Sequence, residues 1–228
     1  MNLALFDIDN TLLSIDSDHA WGHFLVKQGV VDGPAYERAN DFFYGQYKAG
    51  TLNILEYLEF ALRPLAQHPR AQLDEWHALF MESVIRPAIT PAARALVQGH
   101  LDAGDVCCCV TATNAFVTEP IAREFGVPHL IAIDLEEHEG RYTGKPRGIP
   151  SFQEGKILRV EAWLQTMDKR ISDYPQSFFY SDSRNDLPLL LRVTDPVAVN
   201  PDPVLKEKAI GSGWPILDLH AKLSARKE

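Results

Sequence analysis

Asp7 and Asp9 are the residues of this chain best placed to do chemistry. They close a short run, residues 3–8, that reads as a buried strand. Residues two apart on a strand face the same way, so the two carboxylates share a side. Close carboxylates repel unless a cation or a shared proton intervenes. One useful arrangement keeps one ionised, as ligand or nucleophile, and the other protonated. Taken alone, Asp7-Ile8-Asp9-Asn10-Thr11-Leu12 is also an Asp- and Asn-rich turn.

Two further clusters sit where strands are expected to end, and a third near the start of a helix after a flexible loop. Ser181-Asp182-Ser183-Arg184-Asn185-Asp186 follows an apolar run. It reads either as a helix N-cap or as half of an oxygen-ligand site for a hard cation such as Mg²⁺. Val110-Thr111-Ala112-Thr113-Asn114 leads into a helix. Its free N–H groups and the Thr111 hydroxyl either bind phosphate or simply cap the helix. Lys156, in Glu154-Gly155-Lys156, is a surface lysine or a compact charge that neutralises phosphate.

These clusters need a scaffold. Residues from about 18 to 86 contain no strand-like stretch and have helical spacing, punctuated by Arg63-Pro64 and His68-Pro69, which reads as three or four packed helices. From Thr90-Pro91 onward the pattern alternates. A helix to about 103, strand 106–110, a helix 114–125, strand 129–133 and a hairpin near His138-Glu139-Gly140 are expected. Loop 144–155, a helix 155–167, strand 177–180, a helix 185–192 and strand 196–199 follow. Such alternation argues for a parallel sheet covered by helices, interrupted after its first strand by an all-helical insert. The polar tail, about 218–228, is expected to fray.

The chain has 228 residues and a net charge of −9. Its negative field opposes nucleic acid and anionic lipid, so neither is an expected partner. No apolar stretch approaches the ~20 residues of a membrane span, and no signal-peptide pattern opens the chain. Cys107, Cys108 and Cys109 are consecutive, so on a strand they face alternate sides and read as buried apolar residues. A reducing, cytoplasmic location fits.

In order and spacing, Asp7/Asp9/Thr11, Thr111, Lys156 and Asp182/Asp186 resemble the haloacid dehalogenase-like phosphohydrolase superfamily. The strings DIDNTLLSIDSDHAW and SDSRND most resemble its subfamily IB, the phosphoserine phosphatase-like group. The resemblance implies an α/β fold: a Rossmann-like parallel sheet core, 1–16 plus 87–228, with an all-helical C1 cap at 17–86. It implies a Mg²⁺-dependent phosphomonoesterase acting on a small phosphate ester, such as histidinol phosphate or phosphoserine. Asp7 would be the nucleophile and Asp9 the general acid and base, with Thr11 supporting the loop. The metal would be held by Asp7, the Asp9 backbone carbonyl, Asp182 and Asp186, the last directly or through water. Thr111, the Ala112 N–H and Lys156 would hold the phosphate, and Asn185 would orient its neighbours. Two positions depart from the pattern. Ala112 stands where relatives often have Gly, and Asp16 stands where phosphoserine enzymes carry the Glu that reads the substrate amine. Asp16 is therefore a candidate for specificity, as is Arg63; Lys48 and Lys145 are placed only by location. His19 and His23, one helical turn apart, have a spacing able to hold a metal but read as surface or cap-lining residues. Other readings of the same residues are a phosphotransferase and a non-catalytic Mg²⁺-binding switch carrying phospho-Asp7. The assembly is expected to be a monomer or a homodimer.

Overall fold

The first strand, β1 (Leu3–Phe6), is buried on both faces. Leu3 and Leu5 enter one hydrophobic layer, Ala4 and Phe6 the other. Burial on both sides is what a central strand of a parallel sheet requires. The computed structural model describes residues 1–221. In it β1 is flanked by β2 (Val106–Asn114) and β5 (Ser177–Ser181), Leu3 lying opposite Val106 on one side and Ser177 on the other. The sheet continues with β3 (His129–His138), β4 (Arg141–Arg147), β6 (Asp195–Val199) and β7 (Ile216–Leu217). Its order is β4-β3-β2-β1-β5-β6-β7, and every neighbouring pair is parallel except β3 with β4. The chain runs outward through β2 and β3, then returns to β5 on the far side of β1. Open α/β sheets build their sites at such a reversal, beyond the carboxyl ends of the strands.

Helices cover both faces. Between β1 and β2 come α1 (Ser17–Lys27), α2 (Gly33–Ala49), α3 (Ile54–Ala61), α4 (Arg63–Gln67) and α5 (Arg70–Phe80). A wide turn, Met81–Ile85, leads to α6 (Arg86–Ala88) and α7 (Pro91–Asp102). The start of α7 is fixed by Thr90, whose hydroxyl accepts from the Ala93 N–H, with Pro91 in the first turn. The remaining helices are α8 (Ala115–Glu124), α9 (Glu154–Gln165), α10 (Leu187–Leu190) and α11 (Pro203–Ser212). One face of the sheet packs on Val160 and Leu164 of α9, Leu189 and Leu190 of α10, and Leu205 and Ala209 of α11. On the other face, Trp21, Phe24 and Phe80 share a single apolar cluster with Phe116, Val117 and the strand residues Phe6 and Cys107. The helices between β1 and β2 thus draw their core from the sheet side as well as from each other. Among the described residues no helix is long and apolar enough to cross a membrane.

Several boundaries differ from the sequence expectation. Strand β2 runs to Asn114 rather than Val110, with a register shift against β3 that carries it past the usual ladder. The expected helix 185–192 is a turn at Arg184–Asp186 followed by the short α10, because Pro188 removes a backbone donor there. Helix α11 and strand β7 were not foreseen. The tail does not fray where it begins. Leu219 is buried, its carbonyl accepts from the Thr90 hydroxyl at 2.7 Å, and His220 Nε2 lies 3.0 Å from the Thr11 carbonyl. The rest of that expectation, 222–228, lies outside the described residues.

Candidate active site

The site forms where the chain leaves β1, β2 and β5. Asp7 follows β1, its N–H still donating to the Tyr180 carbonyl of β5 at 2.9 Å. The chain then makes one tight turn, with Asn10 in the left-handed region at φ 54°. Asn tolerates that conformation better than most residues. The turn brings Thr11 back over Asp7. The Thr11 hydroxyl lies 3.1 Å from Asp7 Oδ2 and 3.2 Å from Asp182 Oδ1, and it accepts from the Asp182 N–H at 3.0 Å. One threonine therefore ties the end of β1 to the end of β5.

Lys156 comes from the first turn of α9. It is 1% exposed. Its ammonium donates to Asp7 Oδ1 at 2.8 Å and to Asp186 at 2.7 Å. Asp186 also accepts from the Ser181 hydroxyl at 2.7 Å, so its carboxylate is committed to protein donors. Burial alone would lower the lysine's pKa, but Asp186 and Asp7 carry it above the ordinary value. Burial pushes Asp7 up to about 7, against the pull of Lys156 and with help from Asp186 and Asp9. Asp182 is likewise held well above the usual carboxylate range, by burial and then by Asp7 and Asp186. The backbone that delivers Lys156 is constrained. Gln153 has φ 49°, and a Cβ on Gly155 would lie 2.1 Å from the Pro150 carbonyl oxygen. Strain of this kind persists where the surroundings over-determine it.

Asp9 faces the same cavity from the other side of the turn. Its Oδ1 accepts from the Ser17 N–H at 2.6 Å. Its Oδ2 accepts from the Thr113 hydroxyl at 2.8 Å and lies 3.3 Å from the Thr111 hydroxyl. Thr111 is thus turned toward Asp9, and it accepts from the Thr113 N–H at 3.1 Å. The expected helix N-terminus at Thr111 and Ala112 is corrected here. Both belong to the end of β2, and α8 begins only at Ala115 with Asn114 as its cap.

The cavity is lined by Asp7, Asp9, Asp16, Asp18, Thr111, Ala112 and Thr113, together with aromatic side chains from α2 and α3. Tyr44, Tyr47 and Phe43 come from α2, Tyr57 from α3, and Phe152 from the loop before α9. Asp16 is half-buried and both caps α1, accepting from the His19 N–H at 2.8 Å, and borders the cavity. Burial raises its pKa well above the ordinary value, with Asp9 adding to it. Asp18 is buried, and burial raises it to about 7, opposed by a hydrogen bond with Tyr57. Asn185 reaches the same region indirectly: its amide donates to the Tyr47 carbonyl at 3.0 Å. Arg63 is not brought there. It is exposed at the start of α4 and borders a separate groove with Asp32, Tyr36 and Phe60. Sequence reasoning missed Thr113, Asp18, Ser181 and the tyrosines. Thr113 carried a signal, since it stands two residues from Thr111 on one strand face. The tyrosines carried none, because only the packing of α2 and α3 directs them inward.

The donor set suits a hard divalent ion. When all are ionised, Asp7, Asp182 and Asp186 outnumber the single Lys156 by two charges in a mostly buried site, and burial raises Asp7 and Asp182 against that excess. The Thr11 hydroxyl has one proton to offer two carboxylates. Oxygen donors with excess negative charge are what Mg²⁺ requires.

Comparison with known proteins shows the family and the fold. The sequence profile of the haloacid dehalogenase-like hydrolases matches residues 4–191. The chain is 46% identical to a histidinol-phosphatase of Neisseria meningitidis serogroup C (strain 8013), covering 95% of this chain and 98% of that one. A crystal structure of a Bordetella pertussis Tohama I protein of unknown function is 51% identical and superposes with a TM-score of 0.91, over 96% of this chain and 98% of the other. A phosphoserine phosphatase captured as an aspartyl-phosphate analogue shares the fold, with a TM-score of 0.69 at 19% identity, over 97% of this chain and 95% of that one.

Proposed function

We infer, for a chain that belongs to the haloacid dehalogenase-like hydrolases, a phosphomonoesterase cycle through an aspartyl-phosphate at Asp7. The chain is a phosphatase of that family and is phosphoserine phosphatase-like. An Asp7 carboxylate oxygen attacks phosphorus and the ester P–O bond breaks, leaving phosphate on Asp7. Asp9 gives its proton to the departing alkoxide, then takes one from the water that attacks phosphorus and frees Asp7. Lys156 balances charge on Asp7 and on the phosphate, and Thr11 holds Asp7 and Asp182 in register. The Ala112 N–H and the Thr111 hydroxyl turn to the phosphate oxygens when substrate enters. Mg²⁺, held by Asp7, the Asp9 backbone carbonyl and Asp182, would neutralise phosphate charge in the loose transition state. Asp186 serves the lysine first and would also face the ion. Helices within 17–86 act as the cap that closes over this chemistry.

The substrate we propose is histidinol phosphate. One observation carries that choice: beyond the phosphate end, the cavity wall joins two acids, Asp16 and Asp18, to a set of tyrosine and phenylalanine rings. Acids suit an amine, and aromatic faces suit an imidazole. No arginine or lysine lines the cavity at this wall among the described residues; Lys48 touches the wall only through the Tyr44 ring, its ammonium 4.3 Å from the ring centre. Phosphoserine carries a carboxylate, which would stand there without a cationic partner. Histidinol phosphate has an alcohol-derived phosphate, an amine and an imidazole, and no carboxylate. The test is kcat/KM for histidinol phosphate against phosphoserine with Mg²⁺ present. A preference for histidinol phosphate of at least ~100-fold is expected, the worth of about one buried, unpaired charge. Equal turnover of the two esters would reject the choice of substrate while leaving the phosphatase reading intact.

A further inference from the structure

We propose that His19, His23 and Asp41 form a second metal site, for a nitrogen-preferring transition ion such as Zn²⁺, which clamps α1 to α2. His19 and His23 lie one turn apart on α1, and Asp41 lies on α2. Three atoms converge: His19 Nε2, His23 Nε2 and Asp41 Oδ1. Their separations are 3.2 Å between the two nitrogens, 2.8 Å from His19 to Asp41 and 3.5 Å from His23 to Asp41. A tetrahedral ion bound at ~2.0–2.1 Å keeps its ligand atoms ~3.3 Å apart. The triangle therefore already has nearly the edge lengths such an ion needs.

Protons alone do not satisfy this triangle. With a proton on His19 Nε2 only, His23 Nε2 and the carboxylate face each other as two acceptors. With one on His23 Nε2 only, His19 and Asp41 do so at 2.8 Å. With protons on both, the two nitrogens meet as donors at 3.2 Å. A single cation resolves all three edges, since each atom then turns a lone pair to it. Two imidazoles and a carboxylate favour Zn²⁺ and its neighbours over Mg²⁺, which keeps to oxygen. The side chains are 21%, 42% and 62% exposed, so water can fill the fourth position.

The clamp would act beside the catalytic cavity. The His19 ring stacks on Tyr44 at 4.3 Å and 18°, and both border the cavity. An ion at this site adds to the hydrogen bond that already joins the two helices, from the Asn40 amide of α2 to the His19 carbonyl of α1 at 2.9 Å.

The test uses the full-length protein in excess Mg²⁺, which occupies oxygen sites. Zn²⁺ is titrated against a chromophoric chelator, and Co²⁺ by its visible absorption, for wild type, His23→Ala and Asp41→Asn. Both altered side chains are substantially exposed, and metal-free melting temperatures check that each variant folds. The proposal expects one Zn²⁺ bound in wild type, a tetrahedral Co²⁺ spectrum, and a metal-induced rise in melting temperature. Both variants lose the Co²⁺ spectrum and bind Zn²⁺ at least ~10-fold more weakly, a loss that even outer partners of a metal produce. No Zn²⁺ binding over Mg²⁺, or binding unchanged in either variant, overturns it.

Discussion

Replacing Lys156 with methionine tests the charge balance at the base of the cavity. Methionine keeps an unbranched chain, one atom shorter, and most of its volume, so packing beside Phe179 changes little. What is lost is the cation shared by Asp7 and Asp186, at 2.8 and 2.7 Å. Removing one partner of a buried ion pair costs about 3–5 kcal/mol. In a chain of this size each kcal/mol moves the melting temperature by about 2–4 °C, so a fall of about 6–20 °C is expected. The cost depends on pH, and its sign follows from Asp7. Burial raises this acid from 3.8 to about 7 even with Lys156 opposing. Between those values the folded state binds more protons than the unfolded one, so stability falls as pH rises. Without Lys156 the acid rises further and the window extends upward. At about pH 5 the variant takes up protons and loses little; at about pH 8 the full loss appears. Scanning calorimetry in chelator at both pH values reads this directly, and Mg²⁺ added at the higher pH recovers part of the loss. An equal fall at both pH values, or a fall below about 2 °C at the higher one, would refute the reasoning.

Gly155→Ala forces a Cβ to within 2.1 Å of the Pro150 carbonyl oxygen, so the first turn of α9 must shift. It should cost about 1–3 kcal/mol by chemical denaturation and displace Lys156, lowering kcat far more than KM. Asp18→Asn removes an acid that burial holds near 7. Its ionised form costs the fold up to about 4 kcal/mol above pH ~7, so the substrate-free variant should be more stable than wild type there and no different below pH ~4. The same variant should raise KM for an amine-bearing phosphate. His220→Ala removes the contact with the Thr11 carbonyl. About 1 kcal/mol of orientation is lost, so kcat should fall about fivefold with KM unchanged. A constant kcat would show that the tail does not support the catalytic turn.

How legible the fold was depended on the kind of signal. The order of strands along the chain was readable because β1, β2, β5 and β6 are short apolar runs with turn residues at their ends. The reversal at β1 was not readable, since alternation with helices implies a parallel sheet without fixing the order of its strands within it. The extension of β2 to Asn114 was hidden, since Thr111 and Thr113 look like caps until their hydroxyls are seen to serve Asp9. Asp7, Thr11, Lys156, Asp182 and Asp186 were found through the order of motifs, although 149 residues separate Asp7 from Lys156. Their mutual geometry was not found. Asp186 was expected to serve the metal directly or through water; that its carboxylate also pairs with Lys156 and Ser181 was not read from the sequence. The substrate wall was hardest to read. Tyr44, Tyr47 and Tyr57 are helix residues with ordinary spacing, and only tertiary packing distinguishes a cavity-lining tyrosine from a core one. Arg63 shows the converse, a charged residue in the right segment on the wrong surface.

The central claim is that Asp7 carries the phosphoryl group in turnover. It is tested most directly by quenching wild-type enzyme in acid during steady-state hydrolysis of histidinol phosphate, then reducing with borohydride and sequencing the peptides by mass spectrometry. The account predicts homoserine at position 7, formed from the acyl phosphate, with no such product in Asp7→Asn and no turnover by that variant. Turnover by Asp7→Asn, or a phosphoryl group trapped on another residue, would contradict it.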